Sequence, residues 1–156
     1  MKKNIYDETI KDFGEEWNLY QYSENDEENE RIFYQYFDIF PWDNKNLSEF
    51  KCLDIGCGTG YLTRRVLQQE AVTQVLGVDV AEGMLDWCRK HINDPRCDWL
   101  QADAQALPLA DNGLDRVVSS LAIQWCANDQ ALFSNISRVL RSDGRLFATT
   151  LGPATL

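Results

Sequence analysis

Histidine is almost missing from this chain: His91 is the single one among 156 residues. No Cys-x-x-Cys pair occurs, and the five cysteines, Cys52, Cys57, Cys88, Cys97 and Cys126, are scattered and odd in number. A zinc site needs His, Cys or carboxylate ligands clustered at short spacing, so no metal is expected. The cysteines sit mostly on apolar runs and read as reduced core residues of a reducing compartment. No stretch approaches the ~18 to 20 apolar residues of a membrane span. The start, Met1-Lys2-Lys3-Asn4-Ile5-Tyr6-Asp7, lacks the apolar core of a signal peptide, and a cytoplasmic location away from membranes is the expectation. Basic residues are also in short supply. Fifteen Lys and Arg against 25 Asp and Glu leave a formal net charge of −10, which argues against a nucleic-acid partner because phosphate backbones bind basic surfaces.

What is present suits one soluble domain with a proper core. Residues 1–46 show no clean periodicity. They carry the acidic run from Glu24 to Glu30, then Ile32, Phe33, Tyr36, Phe37 and Phe40 on one helical face, ended by Pro41. The spacing predicts a helix over 27–40. An earlier segment with Phe13, Trp17 and Tyr20 reads either as a lid or as simple aromatic packing on the core. Residues 1–46 are thus expected to form a helical cap or lid on a ligand-binding domain at 47–156.

From residue 50 onward apolar runs and helical patterns alternate, the signature of a mostly parallel sheet with crossover helices on both faces, an α/β three-layer sandwich. Strands are predicted to end at Ile55, over 74–79, from Cys97 to about Ala102, over 116–121 and over 145–151. Helices are predicted from about Gly60 to Gln69, from Ala81 to Asn93-Asp94-Pro95, and from the Asn128-Asp129 cap through Leu132, Ile136, Val139 and Leu140, stopped by Ser142-Asp143-Gly144.

The chain is organised around Cys52-Leu53-Asp54-Ile55-Gly56-Cys57-Gly58-Thr59-Gly60, a buried strand entering a tight glycine turn. Glycine supplies positive φ there and lets a ligand lie against the backbone. The helix that follows points N–H groups and its positive end into the crevice. Dinucleotide sites use G-x-G-x-x-G; the spacing here is G-x-G-x-G, and Asp54 would repel a pyrophosphate while suiting a cation. Asp79 closes the next apolar run, placed to accept two ribose hydroxyls. On its own the turn is equally a plain tight turn, and a nicotinamide or flavin is the competing ligand.

With both acids in place, the sequence resembles the class I S-adenosylmethionine (SAM) dependent methyltransferases. The resemblance implies a Rossmann-like fold and a SAM site drawn from Asp54, Gly56, Cys57, Gly58 and Gly60 on the first loop. Asp79, Val80 and Met84 follow the second strand, and Asp103, Ala104 and Leu121 follow the third and fourth. Asp103 would meet the adenine amino group. Over residues 50–156, Leu121-Ala122-Ile123-Gln124-Trp125-Cys126 and Ala106-Leu107-Pro108-Leu109-Ala110-Asp111 further resemble the malonyl-[acyl-carrier-protein] O-methyltransferases of biotin synthesis. Methylation of a malonyl carboxylate on an acyl carrier protein is then implied, with another small-molecule acceptor or a silent SAM-binding module as alternatives. Gln124 and Trp125 are the catalytic candidates, against a reading in which Trp125 is core and Gln124 caps a turn. Trp17-Asn18-Leu19-Tyr20 departs from that family's N-terminal element. The family's further strands would lie past Leu156, so the sheet is expected to be truncated after strand five. An open edge at Leu146-Phe147-Ala148 is expected to favour self-association.

Overall fold

The computed structural model describes residues 48–151 and, before them, Arg31 in a helix; the expected helix over 27–40 and the lid over 1–46 otherwise lie outside the described residues. The elements are β1 (Phe50–Ile55), α1 (Tyr61–Leu67), β2 (Val72–Asp79), α2 (Glu82–His91), β3 (Cys97–Gln101), β4 (Leu114–Ser120), α3 (Asp129–Val139) and β5 (Leu140–Thr149). Short 3₁₀ turns cover Ala104–Ala106 and Ile123–Trp125. All strand pairs are parallel, in the order β3-β2-β1-β4-β5. The order reverses between β1 and β4, and a crevice opens at the carboxyl ends of such strands.

The pleat divides the core into two layers. Cys52, Val75 and Val118 pack with Leu62 and Val66 of α1 and Cys88 of α2. Leu53, Ile55 and Val117 pack on the other face with Leu132, Ile136 and Val139 of α3. Both faces of β1 are therefore buried, which is why its run is apolar on consecutive positions. Asp54 falls on the α1 face and is sealed with it. Gly77 of β2 lies opposite Trp99 of β3, and a Cβ there would overlap the indole ring, so the glycine makes room for the tryptophan. Cys52, Cys57 and Cys88 are buried; Cys97 and Cys126, expected as core residues, are only partly so.

Several boundaries differ from the sequence reading. β2 starts at Val72 and β4 at Leu114, each two residues earlier than the pattern predicts, and α1 is shorter at both ends. Leu140, the predicted last residue of the α3 stripe, opens β5 opposite Leu114. Ser142-Asp143-Gly144 then forms a bulge, because the five steps from Leu140 to Arg145 oppose only the two from Leu114 to Arg116. The cause lies outside the helix. The N–H groups of Asn112 and Gly113 donate to the carbonyls of Arg138 and Val139 at 2.9 Å each, so a remote loop ends α3 by capping its carbonyls.

Candidate functional site

The glycine loop crosses the carboxyl end of β1, where the strand order reverses. Gly56, Gly58 and Gly60 have φ of 67°, 53° and 75°, the left-handed region that other residues rarely adopt. Their surroundings separate their roles. A Cβ on Gly56 would overlap that of Ala122 beyond β4, and one on Gly60 would overlap Ile92 Cδ1 and crowd Cys88 Sγ at 3.1 Å. Gly58 alone of the three has nothing within 4 Å of that position. It is the glycine against which a ligand could lie.

The loop amides do not form an anion cradle. Gly56 and Cys57 N–H both donate to Val78 O (2.8 and 3.1 Å), Gly60 N–H donates to Cys57 O (2.8 Å), and Gly58 N–H donates to Asp79 Oδ2 (2.9 Å). The protein uses these four amides itself; the N–H groups expected to face the crevice are those of the first turn of α1, which are not among them. A pyrophosphate finds no free donor among these four, which agrees with the G-x-G-x-G spacing. Cys57 packs beside Cys88, whose thiol donates to Gly58 O at 3.2 Å. Hydrogen bonding to Cys88, then burial, holds the Cys57 thiol well above the ordinary range, so it stays protonated and packs rather than reacts.

Asp54 is 1% exposed. Its Oδ2 accepts from Thr63 Oγ1 of α1 at 2.5 Å, and its Oδ1 has no partner among the described residues. Burial raises its pKa from 3.8 to about 7; the Thr63 hydroxyl pulls it down, and the neighbouring Asp79 charge pushes it up again. A buried carboxylate with one unused oxygen is a ready partner for a cationic group. Asp79 ends β2, its Oδ1 accepting from Ala81 N–H and its Oδ2 from Gly58 N–H, both at 2.9 Å. Burial raises its pKa against the opposing pull of the Ala81, Gly58 and Val80 amides. Each oxygen keeps a second lone pair, enough for the two hydroxyls of a ribose.

Asp103 follows β3 as an exposed acid whose Oδ1 caps the 3₁₀ turn by accepting from Gln105 N–H at 2.8 Å. Ala104 is buried in that turn. Val80, 37% exposed, and Met84, buried in the first turn of α2, follow Asp79. Leu121 adopts φ 50°, an uncommon value for a side chain with a Cβ, at the point where β4 turns back toward the loop. Gln124 Nε2 donates to Leu121 O at 2.7 Å, and its Oε1 accepts from Thr150 Oγ1 at 3.3 Å, so its amide joins the ends of β4 and β5. Trp125 is 53% exposed, which corrects the reading that placed it in the core.

Hydrogen bonds thus join Gly58 to Asp79, packing joins Gly56 to Ala122, and Asp103 stands at the end of the next strand. Sequence reasoning missed Thr63 and Ser119. Thr63 was detectable as a polar residue on the apolar face of α1, within Leu62, Thr63, Val66 and Leu67. Ser119, fully buried, donates to Ile55 O at 2.8 Å and ties β4 to β1; nothing in its sequence context distinguishes it from Ser120. Among the described residues no three His, Cys, Asp or Glu side chains could hold a metal ion, and no helix is long and apolar enough to cross a membrane.

A doubly wound parallel sheet with acids at the ends of β1, β2 and β3, around a glycine loop, defines an α/β domain of the Rossmann-like class. The chain belongs to the methyltransferase-domain family, whose model matches residues 53–148. It is 40% identical over 122 residues to the biotin biosynthesis bifunctional protein BioHC of Cellvibrio japonicus, covering 78% of this chain and 23% of that protein. It is 41% identical over 117 residues to the malonyl-[acyl-carrier protein] O-methyltransferase of Gallionella capsiferriformans, covering 70% and 40%. The chain therefore spans well under half the length of these curated relatives. Among solved structures, an S-adenosylmethionine dependent methyltransferase from Mesorhizobium loti superposes with TM-score 0.62 at 28% identity, covering 66% of this chain and 47% of that one. The [4+2]-cyclase SpnF superposes with TM-score 0.61 at 28% identity, covering 66% and 39%.

Proposed function

We propose that this chain is the cofactor-binding core of a SAM-dependent methyltransferase that esterifies the free carboxylate of a malonyl group on an acyl carrier protein, a step toward biotin. One observation supports the cofactor reading: Asp54 Oδ1, buried and unpartnered among the described residues, lies at the carboxyl end of β1 beside a glycine loop whose Gly56, Cys57, Gly58 and Gly60 amides are already bonded within the protein. When bound, SAM would supply a sulfonium-activated methyl group for in-line displacement. Asp79 would accept the ribose hydroxyls, Asp103 the adenine amino group, and Asp54 would face the cationic end. Gly58 leaves room for the ligand against its backbone. A malonyl carboxylate is ionised near pH 7, so the crevice needs no general base. Its task is alignment and exclusion of water. The choice of acceptor is supported by the names of relatives about 40% identical to this chain.

The test is methyl transfer from SAM by the full-length protein, with a malonyl-acyl carrier protein as acceptor. Formation of the malonyl methyl ester with release of S-adenosylhomocysteine is the expected result. Turnover with another small-molecule acceptor only would overturn the malonyl assignment. A second reading is a SAM-binding module without methyl transfer, favoured by a cyclase sharing the fold. Heat on titration with SAM and no methylated product would select it.

A further inference from the structure

The 3₁₀ turn after β3 holds a side chain that the proposed chemistry does not use. Gln105 Nε2 donates to both carboxylate oxygens of Asp103 at 3.1 Å, besides the main-chain bond from Gln105 N–H. Gln105 Oε1 accepts from the main-chain N–H of Asn128 at 2.7 Å. The carboxamide orientation is dictated chemically, because the carboxylate can only accept and the N–H can only donate. The Gln105 carbonyl accepts in turn from Asn135 Nδ2 of α3 at 2.8 Å, and Leu107 N–H donates to Asn135 Oδ1 at 3.2 Å. Arg138, also on α3, donates to Leu107 O and Leu109 O. The turn is thus bolted to α3, while Asp103 itself is exposed. Without the side-chain bonds, only the Gln105 main-chain N–H would hold Oδ1, and Oδ2 would have no partner among the described residues and could sample other orientations. Asn128 is the N-cap of α3 and ends the segment from Leu121 that carries Gln124 and Trp125.

We infer that Gln105 is a positioning residue that sets the specificity of the site for a purine bearing an exocyclic amino group. Its amide fixes the Asp103 carboxylate where such a group can donate to it, and ties that carboxylate to the segment following β4. A carbonyl at the same ring position would face the carboxylate oxygen to oxygen and be rejected. The inference rests on the cofactor reading above.

The experiment titrates the full-length protein with S-adenosylhomocysteine and with its deaminated form, S-inosylhomocysteine. Wild type is expected to prefer the first. Gln105→Ala should weaken S-adenosylhomocysteine by about tenfold, the scale of a hydrogen bond to a charged group, and leave the deaminated ligand nearly unchanged, so that the preference collapses. Gln105→Met, which keeps the length and packing of the side chain without its polar ends, should do the same. Asp103→Ala combined with Gln105→Ala should bind no more weakly than Asp103→Ala alone, because the glutamine acts through the acid. Equal weakening of both ligands by Gln105→Met would mark a merely structural role and overturn the inference, as would an unchanged preference. A wild-type protein that binds neither nucleoside would overturn the cofactor reading itself, whereas binding with a preference untouched by Gln105 would sink this inference alone.

Discussion

Asp54 is sealed between β1 and α1 with a single hydroxyl donor, and its pKa of about 7 has a definite sign for stability. The folded value lies above the unfolded one of 3.8, so between these pH values the native state holds a proton that the unfolded chain releases. Stability from this group is present at low pH, falls as pH rises from about 4 to about 7, and is level above that. Each unit of displacement is worth about 1.4 kcal/mol. Asp54→Asn should therefore flatten the fall in melting temperature between pH 5 and 7.5, which a calorimetric pH series checks. The same substitution should remove the rise in SAM affinity expected over that range, since a cation binds the ionised form. Asp79 carries two duties that sequence alone cannot separate. As a strand-end acid it reads as ligand-facing, yet its oxygens also hold the amides of Gly58 and Ala81. Asp79→Ala should weaken SAM by ten- to a hundredfold, the scale of a lost charged hydrogen-bond partner, and also lower the melting temperature. Loss of affinity with an unchanged melt would show that the tether to the loop is idle.

The glycine loop answers at the level of an element. Gly56→Ala and Gly60→Ala each combine left-handed backbone with overlap against Ala122 or Ile92. Each is expected to cost about 2 to 4 kcal/mol of unfolding free energy, the sum of a conformational and an overpacking cost. Gly58→Ala carries the conformational cost alone, about 1 kcal/mol, and should lose ligand affinity instead; urea melts with SAM titrations on the three variants separate these outcomes. The order and type of the elements were readable from residue 50 onward because apolar period and glycine punctuation are local signals. The acids at the ends of β1, β2 and β3 were readable for the same reason. What was not readable is non-local. The end of α3 is set by amides from Asn112 and Gly113, and the bulge at Ser142-Asp143-Gly144 depends on where β4 begins. Gln105 reads as an ordinary polar turn residue until Asn128 and Asn135 are brought beside it.

For the whole molecule the sheet's edges matter most. β5 pairs only with β4 among the described strands, so one side of its main chain lacks a ladder partner there. Leu146 and Phe147 point to opposite layers and each packs partly against one core cluster. The open feature is therefore the backbone edge more than an apolar face, and such edges recruit other strands. The 156-residue chain is expected to self-associate at high concentration, opposed by its charge of −10 and hence more strongly in salt. Light scattering across concentration at low and high ionic strength checks this; a monomer under all conditions would show that the edge is covered.

Trp99 occupies the room that Gly77 leaves, with its ring also near the Cβ position of Gly60. That places an indole directly beneath the glycine loop, within one packing layer of the Cys57 thiol, which also borders Gly77. Thiols quench indole emission on contact, and a rigid ring shifts its colour with the polarity above it. The geometry that lets a tryptophan fill the hole in β2 thus sets an indole beside the glycine loop, and its emission is expected to change when a ligand settles there, with no attached dye.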